Sequence, residues 1–234
     1  MRYKAVLFDL DGTLLPMDQE EFTEGYFRLL AKKMAPHGYD PERLVKAVWT
    51  GTAAMVKNDG RQSNEAAFWE SFAAVFGERA RADLPLFQAF YENEFQGAKA
   101  FCGFNPMAAE TVARVRAAGC RTVLATNPIF PAVATESRVR WAGLKPSDFE
   151  LVTTYENIGY CKPNPDYYRA LLERLRLPPE SCLMVGNDAA EDLAAERAGM
   201  EVFLLTDCLI NKEGRDLSAC PHGGFDRLLE FLGI

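Results

Sequence analysis

Apolar and polar positions follow two rhythms along this chain, and the change of rhythm divides it. Ala5-Val6-Leu7-Phe8 is an unbroken apolar run, the pattern of a central parallel strand covered on both faces. From Glu20 to about Gly97 the spacing is helical throughout. Phe22, Tyr26, Leu29, Leu30 and Met34 share one face; Leu44, Val45, Val48, Trp49 and Val56 share another. Ala67, Phe68, Phe72, Val75 and Phe76 repeat the pattern, as do Leu86, Phe87, Phe90, Tyr91 and Phe95. Breaks at Pro36-His37-Gly38, Asn58-Asp59-Gly60 and Gly77 divide this block into three to five helices, with Asp18 a cap for the first. No strand interrupts it, so it is expected to form a helical unit inserted after the first strand.

Past Pro106 strands and helices alternate. Met107–Ala118 reads as a helix stopped by Gly119, then Arg121–Ala125 as a strand running into Thr126-Asn127-Pro128. A helix over 132–142, a short strand over 149–153 and a helix over 166–176 follow. Ser181–Val185 is a fourth strand ending in Gly186-Asn187-Asp188; a helix over 191–198, a strand over 201–205 and a final helix over 225–232 complete the pattern. This alternation predicts βαβ units and a parallel sheet, an α/β fold. Residues 207–224 read as a mobile surface loop.

Composition narrows the setting. At 234 residues the chain suffices for one α/β domain with an insertion. It is 48% hydrophobic and 25% charged with a net charge of −7, which speaks against nucleic acid or an anionic membrane surface as partner. No apolar run approaches the roughly 18 residues that span a bilayer. The run after Met1-Arg2-Tyr3-Lys4 is too short for a signal-peptide core, so a cytoplasmic protein is expected. Six cysteines are widely spaced without a Cys-x-x-Cys and only two histidines occur, which argues against a zinc site or a disulfide framework.

Four pieces of candidate chemistry sit at the ends of these strands or between them. Asp9 and Asp11 end the first strand and, two residues apart, can address one small volume; Gly12 permits a sharp turn and Thr13 follows. Thr126 and Asn127 end the second strand, where a hydroxyl and backbone amides can donate to a phosphoryl group. Lys162 lies in the stiff Tyr-Cys-Lys-Pro-Asn-Pro segment, held at fixed reach before a helix. Asp188, Glu191 and Asp192 cluster where the fourth strand gives way to a helix. Phosphoryl transfer needs an in-line nucleophile and positive charge around the equatorial oxygens, and a carboxylate can be that nucleophile. Asp9 suits the nucleophile. Asp11 suits the acid that protonates the leaving group and then activates water. Lys162 offsets the negative charge, and carboxylates this dense call for a hard cation, Mg²⁺.

Phe-Asp-Leu-Asp-Gly-Thr-Leu at residues 8–14 resembles the first motif of the haloacid dehalogenase-like (HAD) phosphohydrolases, and the four pieces in order resemble that superfamily's four motifs. The resemblance implies a Rossmann-like core of five parallel strands in the order 5-4-1-2-3. Residues 1–16 and 100–234 would form this core, and residues 17–99 an all-α C1-type cap. It implies a Mg²⁺-dependent phosphatase acting on a small phosphorylated metabolite, as monomer or homodimer. Asp9, Asp11, Thr126 and Lys162 would be catalytic; Gly12, Thr13 and Asn127 would line the substrate site. The metal would take the Asp9 side chain, the Asp11 carbonyl and an acid of the fourth motif. That motif departs from the usual Gly-Asp, because Asn187 follows the strand. An ungapped match supplies Asn187 and Glu191; a one-residue shift supplies Asp188 and Asp192, preferred because a carboxylate binds Mg²⁺ better than an amide.

Dehalogenases of the superfamily lack the second Asp of the first motif, so Asp11 points to phosphate esters. A mutase would use the same residues, and phosphonate cleavage would need a suitable cap lysine; Lys57 exists there, but nothing singles it out. A catalytically silent phosphoryl-binding module is the reading from another class; receiver domains are about half this length and lack the helical insertion. In the cap, Asn58–Gln62 is the candidate specificity loop, with Arg61 a contact for a polar or anionic substrate.

Overall fold

The computed structural model describes residues 2–234. The apolar runs form strands β1 (Ala5–Phe8), β2 (Arg121–Leu124), β3 (Leu151–Val152), β4 (Cys182–Gly186) and β5 (Glu201–Leu205), all paired in parallel. The five lie in the expected relative order, but the sheet has six strands, β3-β2-β1-β4-β5-β6, because β6 (His222–Gly223) adds at the edge. β3 is as short but sits in an apolar stretch, whereas His222-Gly223 brings no apolar side chain, so the sixth strand is invisible as a pattern. The segment 207–224 is accordingly no bare loop: it supplies β6, and Ile210 bridges to Asp188.

Residue parity along the strands builds two apolar layers. Val6, Phe8, Leu124, Leu183, Val185, Phe203 and Leu205 face helices α6 (Pro106–Ala117), α7 (Ala132–Trp141) and α9 (Phe225–Leu232). Ala5, Leu7, Val123, Met184, Val202 and Leu204 face α8 (Pro165–Leu175) and the 3₁₀ turns of residues 192–198, a stretch whose pattern predicted an α-helix. With both faces covered, β1 is buried along its whole length, as its unbroken apolar run requires.

Between β1 and α6 the chain is helical: α1 (Gln19–Met34), α2 (Pro41–Val56), α3 (Asn64–Phe76), α4 (Arg79–Ala82) and α5 (Leu84–Glu92), then 3₁₀ turns over 94–101. Their starts are written locally. Asp18 accepts from the Glu20 and Glu21 amides, Asp40 from the Arg43 amide and Ser63 from the Ala66 amide, satisfying orphan donors of each first turn. The block leaves and rejoins the sheet layers at one place, where Met17 bridges Cys102 and the Gly103 amide donates to Pro16 O.

Candidate active site

β1, β2 and β4 are adjacent in the sheet, and the residues that follow them meet at its carboxyl edge, where ligands bind in open α/β sheets. Lys162 is the hub. Its ammonium is fully buried and donates to Asp9 Oδ1 at 2.9 Å and to Asp192 Oδ1 at 2.7 Å. The Thr13 hydroxyl lies 2.9 Å from Asn187 Oδ1 and 3.3 Å from Asp9 Oδ2. Gly12 permits this crowding: its φ is +83°, and a Cβ there would stand 2.3 Å from Asn187 Nδ2.

The acids after β4 divide the work. Asp192 Oδ2 accepts from the amides of Asn187 (2.9 Å) and Asp188 (3.0 Å), so with Lys162 both its oxygens are engaged. Gly186 leaves room for that carboxylate, which would otherwise lie 2.0 Å from a Cβ. Asp188 Oδ1 caps the turn by accepting from the Ala190 and Glu191 amides. Asn187 is held at both ends of its amide, by Thr13 and by the Cys208 carbonyl, to which Nδ2 donates at 2.8 Å. At the end of β2, Thr126 is buried, and its carbonyl accepts from the Thr153 hydroxyl (2.7 Å) and the Tyr167 hydroxyl (2.9 Å). Asn127 Nδ2 donates to Glu191 Oε1 at 2.9 Å, tying the β2 end to the β4 end.

Arg138 on α7 is the residue that sequence reasoning missed. It is 1% exposed, its guanidinium pairs with Asp11 Oδ2, and it lies over the Phe130 ring at 4.4 Å. Its Nε and the other Asp11 oxygen, Oδ1, are buried without a protein partner. A signal existed: Ala134, Arg138 and Trp141 fall on one helical face, so a lone charge sits among inward positions. Arg61, by contrast, is not brought to the site. Its side chain is 88% exposed and pairs with Asp59.

Charge crowding shifts the acids. Burial, with help from Asp192 and Asp11, pushes the Asp9 carboxyl up to about 7 against the pull of Lys162. Burial would by itself lower Lys162, but Asp192 and Asp9 reverse this and hold it well above its ordinary value. Glu191 is pushed up to about 8 by burial, opposed by Lys162 and reinforced by Asp192, Asp9 and Asp188. Between its ordinary value near 4.5 and about 8, the folded protein therefore keeps a proton that the unfolded chain has lost, and stability falls as pH rises through that window. Glu191→Gln, whose carbonyl can still accept from Asn127, is expected to stabilise the protein at pH 8 by on the order of 2 kcal/mol and to change nothing at pH 4. Urea unfolding at the two pH values checks this; equal stability at pH 8 would refute it.

The helical block is fastened to these loops through Asn64, the first residue of α3 and fully buried. Its Nδ2 lies 3.1 Å from Pro128 O, 3.2 Å from Tyr160 O and 3.2 Å from Cys161 Sγ, and Asn58 Nδ2 donates to its Oδ1 at 3.0 Å. One side chain thus joins α3 to the loop after Asn127 and to the loop before Lys162.

The sequence pattern of the haloacid dehalogenase-like hydrolases matches residues 3–199, and the chain belongs to that family. Within it, the chain is an enzyme of the phosphatase kind, acting on phosphoric monoesters. It is 28% identical to a phosphoglycolate phosphatase of Rhodobacter capsulatus over 219 residues, 93% of this chain and 90% of that protein. In fold it resembles CbbY from Rhodobacter sphaeroides, crystallised with phosphate, at a TM-score of 0.61 and 21% identity, covering 99% of this chain and 100% of that one. It also resembles a 2-haloacid dehalogenase from Pseudomonas syringae pv. Tomato DC3000 at a TM-score of 0.62 and 20% identity, covering 99% and 98%. Since the fold accommodates both names, the distinction between them rests on side chains.

Proposed function

We propose that this enzyme hydrolyses a small-molecule phosphate monoester through a phospho-aspartyl intermediate on Asp9, with Mg²⁺ as cofactor. The observation that carries the reading is the buried Lys162 ammonium 2.9 Å from Asp9, with a second acid, Asp11, two residues along the chain. In the first half-reaction an Asp9 oxygen bonds to phosphorus while the ester P–O bond breaks, and Asp11 gives a proton to the leaving oxygen. In the second, water attacks the phosphorus of the phospho-aspartate, Asp11 takes its proton, and Asp9 is released as carboxylate. Asp11 Oδ1 is suited to this proton work because Arg138 occupies Oδ2 and no protein group occupies Oδ1. Lys162 balances charge on Asp9 and on the phosphoryl group. The Thr126 hydroxyl and the Asn127 amide hold phosphoryl oxygens; the Gly12 and Thr13 amides, expected to line the substrate site, are instead spent on the Leu15 and Leu10 carbonyls that close the turn. Residues 17–99 serve as the cap over the core of residues 1–16 and 100–234.

The side chains suit a hard divalent cation. Among the described residues, Asp9 and Asp192 share the single Lys162 ammonium and Asp11 pairs with Arg138, while Asp11 Oδ1 is buried and unpartnered. Among the described residues no three His, Cys, Asp or Glu side chains form a metal cluster on their own. Mg²⁺ does not require one, since it is commonly held by one or two carboxylates, waters and substrate phosphate. Asp9, the Asp11 carbonyl and Asp188 are the proposed ligands; Asp192, with both oxygens engaged, instead positions Lys162. When bound, the cation neutralises charge on the phosphoryl group and its attacking carboxylate.

Purified protein with Mg²⁺ is expected to release phosphate from p-nitrophenyl phosphate. Chelation with EDTA should lower the rate at least ~100-fold, and added Mg²⁺ should restore it. No release with Mg²⁺ present would overturn the reading; undiminished release in EDTA would overturn the metal assignment.

A further inference from the structure

Between α1, α2, α3 and α5 and the segment after Pro128 lies a cavity of about 90 Å³. That is several times the ~10–15 Å³ needed by one water, and of the order of the ~150 Å³ apolar cavity that admits benzene. Nine of the fourteen side chains around it are aromatic and none is charged. Trp49, 52% exposed, stands at its rim.

The inner wall leads to the acids. Ile129 and Phe130 directly follow Asn127-Pro128, and the Ile129 amide donates to Asn127 O at 2.9 Å. The Phe130 ring carries the Arg138 guanidinium at 4.4 Å, and that guanidinium pairs with Asp11. Tyr26 and Tyr91, whose hydroxyls are 2.9 Å apart, line the same cavity, and the Tyr26 ring stands edge-on to Phe130 at 5.5 Å. The cavity is thus apolar in its body, and its Phe130 wall is joined to Asp11 through Arg138.

We infer that this cavity takes the leaving group of the ester, and that the substrate class is phosphate monoesters of apolar alcohols, alkyl or benzyl-like. The inference rests on the phosphatase reading above. A carboxylate or a polyol placed here would exchange its water for a few hydroxyls that are largely paired already, Tyr26 with Tyr91, Trp69 with Tyr155 and Thr52 with the Val48 carbonyl, whereas an apolar group gains by leaving water and by packing against aromatic rings.

The test is a homologous series of esters, methyl through butyl phosphate, with benzyl phosphate, glycerol phosphate and phosphoglycolate. All of these release an aliphatic alcohol, so bond reactivity varies little. Wild-type kcat/KM is expected to rise about fourfold per added methylene. Benzyl phosphate should exceed glycerol phosphate and phosphoglycolate at least ~10-fold, in proportion to the apolar area it buries. Thr52→Phe, which narrows the cavity, should lower the benzyl-to-methyl ratio of kcat/KM by about tenfold. In Asp9→Asn protein, benzyl phosphate should perturb the fluorescence of Trp49 and Trp69, which line the cavity, at concentrations where glycerol phosphate does not. The wild-type series stands whether or not the Thr52 variant folds. A flat series, or preference for the polar esters, overturns this inference and leaves the phosphatase reading intact. No turnover of any ester overturns the phosphatase reading, and the fluorescence titration then decides for or against an apolar occupant.

Discussion

Asp9→Asn should lower kcat for phosphate release by ~10⁴-fold or more, the scale seen when a nucleophile that acts within a catalytic unit is removed. The substitution is nearly isosteric and sits at the end of the central strand, so the fold should survive it. Stability offers a second reading. An acid pushed up to about 7 opposes folding wherever it is ionised, so losing it should leave stability equal or higher at pH 8. Steady-state kinetics and urea unfolding on one preparation separate the two effects. A folded variant with wild-type turnover would move the nucleophile elsewhere.

Lys162→Met has the largest structural consequence expected of any single change. The ammonium is shared by two buried carboxylates, Asp9 and Asp192, and removing it leaves both in a poorly solvated site. Breaking a buried ion pair from one side costs about 3–5 kcal/mol. The variant should therefore unfold at markedly lower urea concentration and show no turnover. Adding Asp192→Asn removes one of the stranded charges and should recover a large part of the stability without recovering activity. If Lys162→Met unfolds within 1 kcal/mol of wild type, as surface pairs do, the buried cluster has no energetic standing.

Features written by local pattern were legible in the sequence. The run Ala5–Phe8 announces a strand covered on both faces, and Asp18, Asp40 and Ser63 begin the helices they cap. Asp9, Thr126 and Lys162 stand out as candidates because each lies at or near the end of a legible element. Features made by distant contacts were not legible. Arg138 looks like one more charge between Glu136 and Arg140, and only its distant partners, Asp11 and the Phe130 ring, show it turned inward. Asn64 follows the Ser63 cap and passes for ordinary helix-start chemistry; its burial depends on Pro128, Tyr160 and Cys161. Asp192 reads as a metal acid until Lys162 and two amides are seen to occupy it. Arg61 lies outside this cluster, an exposed turn arginine paired with Asp59 two residues away.

The clamp at Asn64 has a mechanical consequence. The start of α3 cannot slide without dragging the peptide carbonyls of Pro128 and Tyr160, and the latter lies two residues before the lysine. The helical layer is thereby tied to the ammonium's own tether, so the two layers are geared rather than merely neighbouring.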